Sequence, residues 1–221
     1  MVGGQWMSFT NCLKCAGTGI MGNGEPCPVC SEKLHKESQK KIVQSSVPSQ
    51  YQGVIFDKEF LPVADKNVYG TFMENLLVDI TSNFALYQKN LLICSKPNSG
   101  KTIWAYNLIN MLADKGYMVP DIQDLIQIRE VLNFNKTSID MAESVSKSRC
   151  LIVKIPSDVT FWMIDIIGYL LERRVPNNGF TIFLFNGNYS QLEQADKNNR
   201  LKYLRGTGSW HTIKVEDFSY E

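Results

Sequence analysis

The sequence predicts an α/β protein in which helices flank a parallel sheet and a small cysteine-rich module precedes the sheet. Three observations carry this prediction. Apolar strand-like runs alternate with helical patterns over residues 90–186, a phosphate-loop motif follows the first of these runs, and two Cys-x-x-Cys pairs stand near the N-terminus. We therefore divide the chain into a four-cysteine module at 1–35, a basic helix or linker at 36–49 and an α/β core at 50–221.

The two Cys-x-x-Cys pairs have the spacing of a metal site. Cys12 and Cys15 form one pair and Cys27 and Cys30 the other, and glycines between the pairs let the backbone reverse. Four thiolates would complete a tetrahedral zinc shell with no open position, so we expect a structural rather than a catalytic zinc ion. Two disulfides are the alternative arrangement, and His35 is an alternative ligand.

The composition is that of a folded protein without a membrane segment or a global charge bias. Hydrophobic residues make up 44% and charged residues 20% of the 221 residues, and the formal net charge is +1. A nucleic-acid contact would therefore need a local basic patch. No apolar run approaches the ~20 residues that span a bilayer, and the N-terminus lacks the pattern of a signal peptide. We expect a cytoplasmic protein with no membrane partner.

The expected phosphate-binding loop has the sequence Ser-Lys-Pro-Asn-Ser-Gly-Lys-Thr. The apolar run 90–94 precedes it and a helical pattern follows it, which is the context of a Walker A motif. Backbone N–H groups would surround the phosphates of ATP, Lys101 would reach the β- and γ-phosphates, and Thr102 would bind magnesium. The nucleotide-binding candidates are Ser95, Lys96, Pro97, Asn98, Ser99, Gly100, Lys101 and Thr102.

Two residues depart from the pattern of an active ATPase. Ser95 replaces the first glycine of the motif, and a residue with a side chain takes that turn less freely. Lys154 stands at the end of a later apolar run, where ATPases place an acidic residue that holds magnesium. Asp158 follows after Pro156, and it could replace the missing acidic residue only if the loop folds back. The sequence therefore favours ATP binding and leaves ATPase activity open.

The remaining core elements follow from hydrophobic periodicity and from glycine and proline stops. The loop leads into a helix that ends at Gly116. The pattern then predicts a strand at 117–120, a helix at 121–132, a polar helix at 138–148, a strand at 150–153, a helix over 160–174 and a strand at 180–185.

In the order of these pieces, residues 47–220 resemble the bacterial replicative-helicase loaders of the DnaC and DnaI type and the related helper ATPases of transposons. The resemblance rests on the entry segment 47–51, on the run before the phosphate loop, and on residues 171–174, 181–188 and 200–220. It implies an AAA+ core without a helical lid that binds ATP and single-stranded DNA and self-associates. It also implies an N-terminal module that docks a hexameric replicative DNA helicase. A compact, diverged loader of this kind suits a bacterial cell or a phage-infected host.

The resemblance also assigns roles to single residues. Asn186 would sense the γ-phosphate, Arg200 would be offered to the nucleotide of a neighbouring subunit, and Arg205 would be a second basic sensor. Together with Lys101, Asn186 and Arg200 are the catalytic candidates. Ordinary alternatives exist, since Asn-Gly is a common turn pair and an isolated arginine is usually a surface charge. The acidic pair of the loaders is replaced here by Lys154 and Ile155.

Single-stranded DNA binding requires stacking aromatic side chains beside cations. Phe161 and Trp162, with Arg173 and Arg174 on the same predicted helix, are the candidates. Packing in the core is the alternative for Trp162.

Two other functions stay open. A transposition helper or DNA-regulatory P-loop ATPase would read DNA with the zinc module, but between Cys12 and Cys30 that module carries only Lys14 and Glu25 as charged residues. A P-loop nucleotide kinase would need an arginine-bearing lid and an acidic acceptor site, and the segment after Val153 offers neither clearly.

Overall fold

The computed structural model describes residues 12–15, 21, 27–61, 66–132, 148–174, 178–201 and 210–214. The helices are α1 Pro28–Ser46, α2 Thr71–Ser82, α3 Lys101–Asp114, α4 Leu125–Leu132, α5 Phe161–Arg174 and α6 Tyr189–Ala195. The strands are β1 Asn90–Ser95, β2 Gln123–Asp124, β3 Cys150–Ile155, β4 Phe180–Asn186 and β5 Trp210–Lys214. None of the helices in these ranges is long and apolar enough to cross a membrane.

The strands form one five-stranded parallel sheet in the order β2-β3-β4-β1-β5. β1 lies between β4 and β5, with Leu92 opposite Phe183 and Ser95 opposite Asn186. The predicted α/β class with a parallel sheet is confirmed. The strand predicted at 117–120 is wrong, because the second strand is the short edge segment β2. The predicted helix at 138–148 lies outside the described residues.

Helices cover both faces of the sheet, which explains the continuous apolar runs of its strands. On one face, α2 and α3 pack against alternate residues of β1, β3 and β4. Trp104 of α3 is fully buried there, and its indole N–H donates to the Met73 carbonyl at 2.8 Å. On the other face, α4, α5 and α6 pack against the intervening residues of the same strands. The carboxyl ends of the strands therefore meet at a single open edge.

Helix α1 joins the cysteine module to the core without a break. It begins at Pro28, inside the predicted cysteine module, and continues through most of the predicted linker. Its C-terminal turn buries Val43 in the core, and Val47 is buried directly after it. Lys40 forms an ion pair with Asp114 at the end of α3. The segment 36–46 is therefore helical and packed against the core.

Candidate nucleotide-binding site and metal centre

The predicted phosphate loop connects the end of β1 to the start of α3 at the open edge of the sheet. Gly100 precedes the helix in a left-handed conformation with φ of 80°, and a Cβ there would lie 2.5 Å from Leu61 Cδ2. Ser95 lies within β1, and the left-handed positions of the loop are Asn98 and Gly100. The expected difficulty at Ser95 is thus absent, because this residue does not make the turn.

Lys101 is buried within the loop, with 5% of its surface exposed. Its Nζ donates to the carbonyl oxygens of Ser95 at 3.1 Å and Lys96 at 3.0 Å, and to the Ser99 hydroxyl at 3.1 Å. It also donates to the Ser95 hydroxyl, an acceptor that the glycine of the usual motif does not have. Burial lowers the pKa of the Lys101 ammonium to about 8. To bind a nucleotide, the ammonium would have to exchange these acceptors for phosphate oxygens.

A cavity of about 530 Å³ opens beside the loop. Residues 98–103 form one wall, Asn186 contributes from the end of β4, and residues 51–61 form the opposite wall. Ile55 and Phe60, on this opposite wall, are exposed. A volume of this size, with polar groups at one end and apolar groups at the other, suits a nucleotide.

The segment 51–61, here called the strap, lies along α3 from its middle to its first turn. The Tyr51 ring stacks on Tyr106 with centroids 4.3 Å apart, and Asn110 Nδ2 donates to the Tyr51 carbonyl at 3.0 Å. Farther along, the Phe56 N–H donates to Asn107 Oδ1 at 3.1 Å. The sequence motifs do not identify the strap as part of the site. The signal for it is a pair of asparagines, Asn107 and Asn110, on a face of α3 that is otherwise apolar.

Asn186 is the last residue of β4, and Lys154 is the next-to-last residue of the neighbouring strand β3, at the same edge of the sheet. Asn186 pairs with Ser95 in the sheet and lines the cavity beside the loop. Lys154 is the one exposed residue of β3, and the next residue, Ile155, is buried. Asp158 lies in the exposed turn that follows.

Magnesium fits this site incompletely. Of the described residues that line the cavity, Thr102 offers a hydroxyl and Asp57 offers the sole carboxylate. The Asp57 carboxylate accepts the Glu59 N–H at 2.8 Å, where it caps a short 3-10 turn. No acid occupies the end of β3, so the usual ligand set of the ion is incomplete.

Arg200 is held within its own subunit. Its guanidinium donates to Asp165 Oδ1 at 3.3 Å and to Glu172 Oε1 at 2.9 Å, and it packs over Gly168 of α5. Presentation to a neighbouring nucleotide would require both ion pairs to break. Arg205 lies outside the described residues, as does any helical lid after β5.

The four DNA-binding candidates do not form one surface. Phe161 and Trp162 begin α5 and Arg173 and Arg174 end it, so the two pairs lie about 18 Å apart at a rise of about 1.5 Å per residue. The prediction that Arg174 contacts DNA is wrong. Its side chain is fully buried and donates to Thr181 Oγ1 and to the carbonyl oxygens of Ser148 and Phe180. Its guanidinium is therefore a structural group.

Two cations that sequence reasoning missed lie beside the aromatic pair. The Arg129 guanidinium is 4.3 Å from the centroid of the half-buried Trp162 ring, and the Lys197 ammonium is 5.8 Å from the centroid of the exposed Phe161 ring. Arg173 instead stacks on Tyr169 at 4.8 Å. No sequence signal identifies these pairs, because their members come from different elements.

The four predicted zinc ligands meet at the start of α1. Their sulfur atoms all lie within 4.8 Å of one another. Cys12 Sγ is 3.8 Å from Cys27 Sγ, and Cys15 Sγ is 3.4 Å from Cys30 Sγ. A tetrahedral zinc ion with bonds of about 2.3 Å separates its sulfur ligands by about 3.8 Å, so the cluster fits zinc.

The chemistry of the cluster also suits a metal. All six cysteines of the chain are described, and none forms a disulfide. The backbone N–H groups of Cys15 and Lys14 lower the pKa of the Cys12 thiol, which favours the thiolate that a metal binds. Burial instead raises the pKa of the Cys30 thiol, so this group would lose its proton only on binding a metal. The His35 side chain lies outside the described residues.

Comparison with known proteins gives structural matches only. No protein-family model and no curated protein matches the sequence. A DnaI structure is 17% identical with a TM-score of 0.54, covering 78% of this chain and 96% of its own. The DnaC helicase loader is 17% identical with a TM-score of 0.55, covering 76% of this chain and 100% of its own.

A third match is a primosome component from Streptococcus pyogenes serotype M3. It is 15% identical with a TM-score of 0.56, and the alignment covers 76% of this chain and 89% of that one. At these identities the likeness concerns the fold. The chain thus has the fold seen in the DnaI structure and in the DnaC helicase loader, together with a four-cysteine cluster that fits a zinc knuckle.

Proposed function

We propose that this protein is a DNA replication helicase loader that binds ATP, hydrolyses it weakly or not at all, and docks a hexameric replicative DNA helicase. The observation that carries the proposal is a loader-type fold whose phosphate loop faces a nucleotide-sized cavity while a lysine replaces the acid at the end of β3. Nucleotide then acts as an assembly signal. The setting is the cytoplasm of a bacterial cell or a phage-infected host.

The nucleotide role belongs to residues 95–102 and Asn186. The N–H groups at the start of α3 face the phosphates, and Lys101 leaves its loop acceptors to bind them. Asn186 senses the γ-phosphate from the end of β4. In phosphate-loop proteins the hydroxyl at the position of Thr102 binds magnesium; here the ion would lack its usual carboxylate.

Each of the proposed domains has its own function. The module at 1–35, with zinc on its four cysteines, docks the helicase, and the helix at 36–49 connects it to the core at 50–221. Single-stranded DNA contacts Phe161 and Trp162, supported by Arg129 and Lys197. Arg200 serves self-association if its two ion pairs open in the assembly.

The nucleotide proposal is tested with Lys101→Ala. Removing a buried cation from a charge pair costs about 2–5 kcal/mol, so ATP affinity should fall by about 30-fold or more. Isothermal titration calorimetry measures the change. Lys89→Ala is the control, since Lys89 is an exposed lysine at the opposite end of β1. Equal ATP affinity in the Lys101 variant and the wild type would contradict an active phosphate loop.

The docking proposal is tested by mixing the protein with the hexameric replicative helicase of its own host. Size-exclusion chromatography should show a stable complex that Cys27→Ser with Cys30→Ser weakens. Lys101→Ala should lower DNA-dependent assembly but leave the zinc content unchanged. Absence of a complex under every nucleotide condition would defeat the loader function. Transfer of a phosphoryl group to a nucleoside or monophosphate would favour the kinase alternative.

A further inference from the structure

Lys154 lies on the sheet face that carries the phosphate loop and α3. Side chains alternate along β3, so Lys154 shares its face with Cys150 and Ile152, which pack in the same layer as α3. Its partner in β4 is Leu184, two residues before Asn186. At the usual strand spacing and rise, the Cα atoms of Lys154 and Asn186 are about 8 Å apart. Lys154 is not among the residues that line the cavity, but the flexible four-carbon stem of a lysine is long enough to bring its ammonium across most of that interval.

No described acidic side chain neutralises the Lys154 ammonium, so this group is available to bind phosphate. Lys154 is exposed and forms no ion pair with any described residue. Asp124, its partner in β2, directs its carboxylate to the Ile126 N–H at 2.9 Å, where it caps α4. The ammonium therefore stands unneutralised at the edge where a polyphosphate would lie.

A magnesium ion and the Lys154 ammonium would both neutralise the negative charge of the phosphates, and each hinders the other. Magnesium needs oxygen ligands, commonly a carboxylate together with the phosphates, and a nearby ammonium repels it. An uncomplexed nucleoside triphosphate carries more negative charge than its magnesium complex. Two ammonium groups, from Lys101 and Lys154, match that extra charge without a metal.

We propose that Lys154 takes the place of the metal, so that the site binds the magnesium-free form of a nucleoside triphosphate. The inference rests on the nucleotide binding proposed above. In this arrangement magnesium is a competitor, because it withdraws the ligand into a complex that the site accepts poorly. The magnesium dependence of binding therefore has the opposite sign to that of an ordinary phosphate-loop ATPase.

The experiment measures ATP binding by calorimetry in magnesium-free buffer and in excess magnesium chloride, with no chelator, because a chelator would also remove a zinc ion from the cysteine cluster. The wild type should bind ATP about fivefold or more tightly without magnesium, the order expected for one screened charge contact near a surface. Lys154→Asp should reverse the preference and bind more tightly with magnesium. Lys154→Gln should lose the tighter binding in magnesium-free buffer without gaining a magnesium preference. Lys89→Asp makes the same charge change far from the site and should behave as the wild type.

The outcomes separate this inference from the proposed function. Wild-type binding that is equal in the two conditions, or tighter with magnesium, would overturn the inference and leave nucleotide binding intact. Binding in neither condition would overturn both. Since Lys154 is exposed, its variants should melt at the wild-type temperature, and this measurement shows that a change in binding is not a loss of fold.

Discussion

The cysteine module and the α/β core are stabilised by different forces. The cluster at the start of α1 consists of Cys15, Cys27 and Cys30 as buried residues, with Cys12 and Met21 packed against them. The core buries apolar side chains on both faces of its sheet, including Trp104 and Phe183. The described residues of this cluster bury little apolar surface, so we expect its folding to depend on a metal and that of the core not to.

The largest effect expected from this difference is loss of zinc. Cys27→Ser should lower the zinc content from about one ion per chain toward zero, because a closed tetrahedral site needs all four thiolates. The core should keep its unfolding temperature. Cys150→Ala is the matched control: Cys150 is fully buried in β3, so its variant should keep zinc and lose about 1 kcal/mol of stability. Elemental analysis and thermal unfolding measure the two quantities, and a Cys27 variant that retains zinc would refute the site.

Thiol reactivity should also differ between the four cysteines of the cluster and the two cysteines of the core. Burial raises the pKa of the Cys150 thiol to about 12, so this group stays protonated and unreactive as the pH rises from 7 to 10. Cys94 is equally buried in β1. After chelation, alkylation followed by mass spectrometry should modify the four cluster cysteines and spare these two. Modification of Cys94 or Cys150 before global unfolding would show that the core opens with the module.

A smaller effect is expected where the strap meets the phosphate loop. Gly100→Ala places a side chain at a left-handed position and against Leu61, so it should lower stability by about 1–3 kcal/mol and weaken ATP binding. Gly53→Ala is the control, because Gly53 has φ of 69° but no atom lies within 4 Å of the position that a Cβ would take there. The difference between the two variants isolates the contact with Leu61. Equal losses would mean that the contact contributes nothing.

The smallest effect is expected at the ion pairs of Arg200. Its partners Asp165 and Glu172 are well exposed to solvent, and such pairs contribute about 0.2–1 kcal/mol. Arg200→Ala should therefore change stability by less than about 1 kcal/mol. A double-mutant cycle with Glu172→Gln in denaturant unfolding measures the coupling. A loss of several kcal/mol would identify Arg200 as a structural residue and argue against its release to a neighbouring subunit.

Local patterns predicted the parts of the molecule whose residues are close in sequence. The cysteine spacing, the run that became β1 and the helix that became α3 each depend on neighbours along the chain. The strand predicted at 117–120 failed because Tyr117 and Met118 are exposed, and the sheet instead pairs Gln123 and Asp124 with β3. Their polar side chains gave no strand signal.

Contacts between distant residues were not predictable in the same way. Arg174 reads as a surface charge, but acceptors from the start of β4 and from Ser148 satisfy its donors inside the protein. The strap is held beside the cavity by its packing on α3 and by hydrogen bonds from Asn107 and Asn110 of α3 to backbone groups far away in sequence. The strand, loop and helix of residues 90–114 could be predicted, while the opposite wall of the cavity required the tertiary structure.

The continuity of α1 with the strap has a thermodynamic consequence. The strap lines the cavity at one end and, through residues 47–50, passes directly into the helix that carries the cysteine cluster at its other end. If a ligand in the cavity favours one position of the strap, part of its binding free energy also favours one position of α1. Linkage is reciprocal, so a partner that holds the cysteine cluster must alter affinity in the cavity by the same factor.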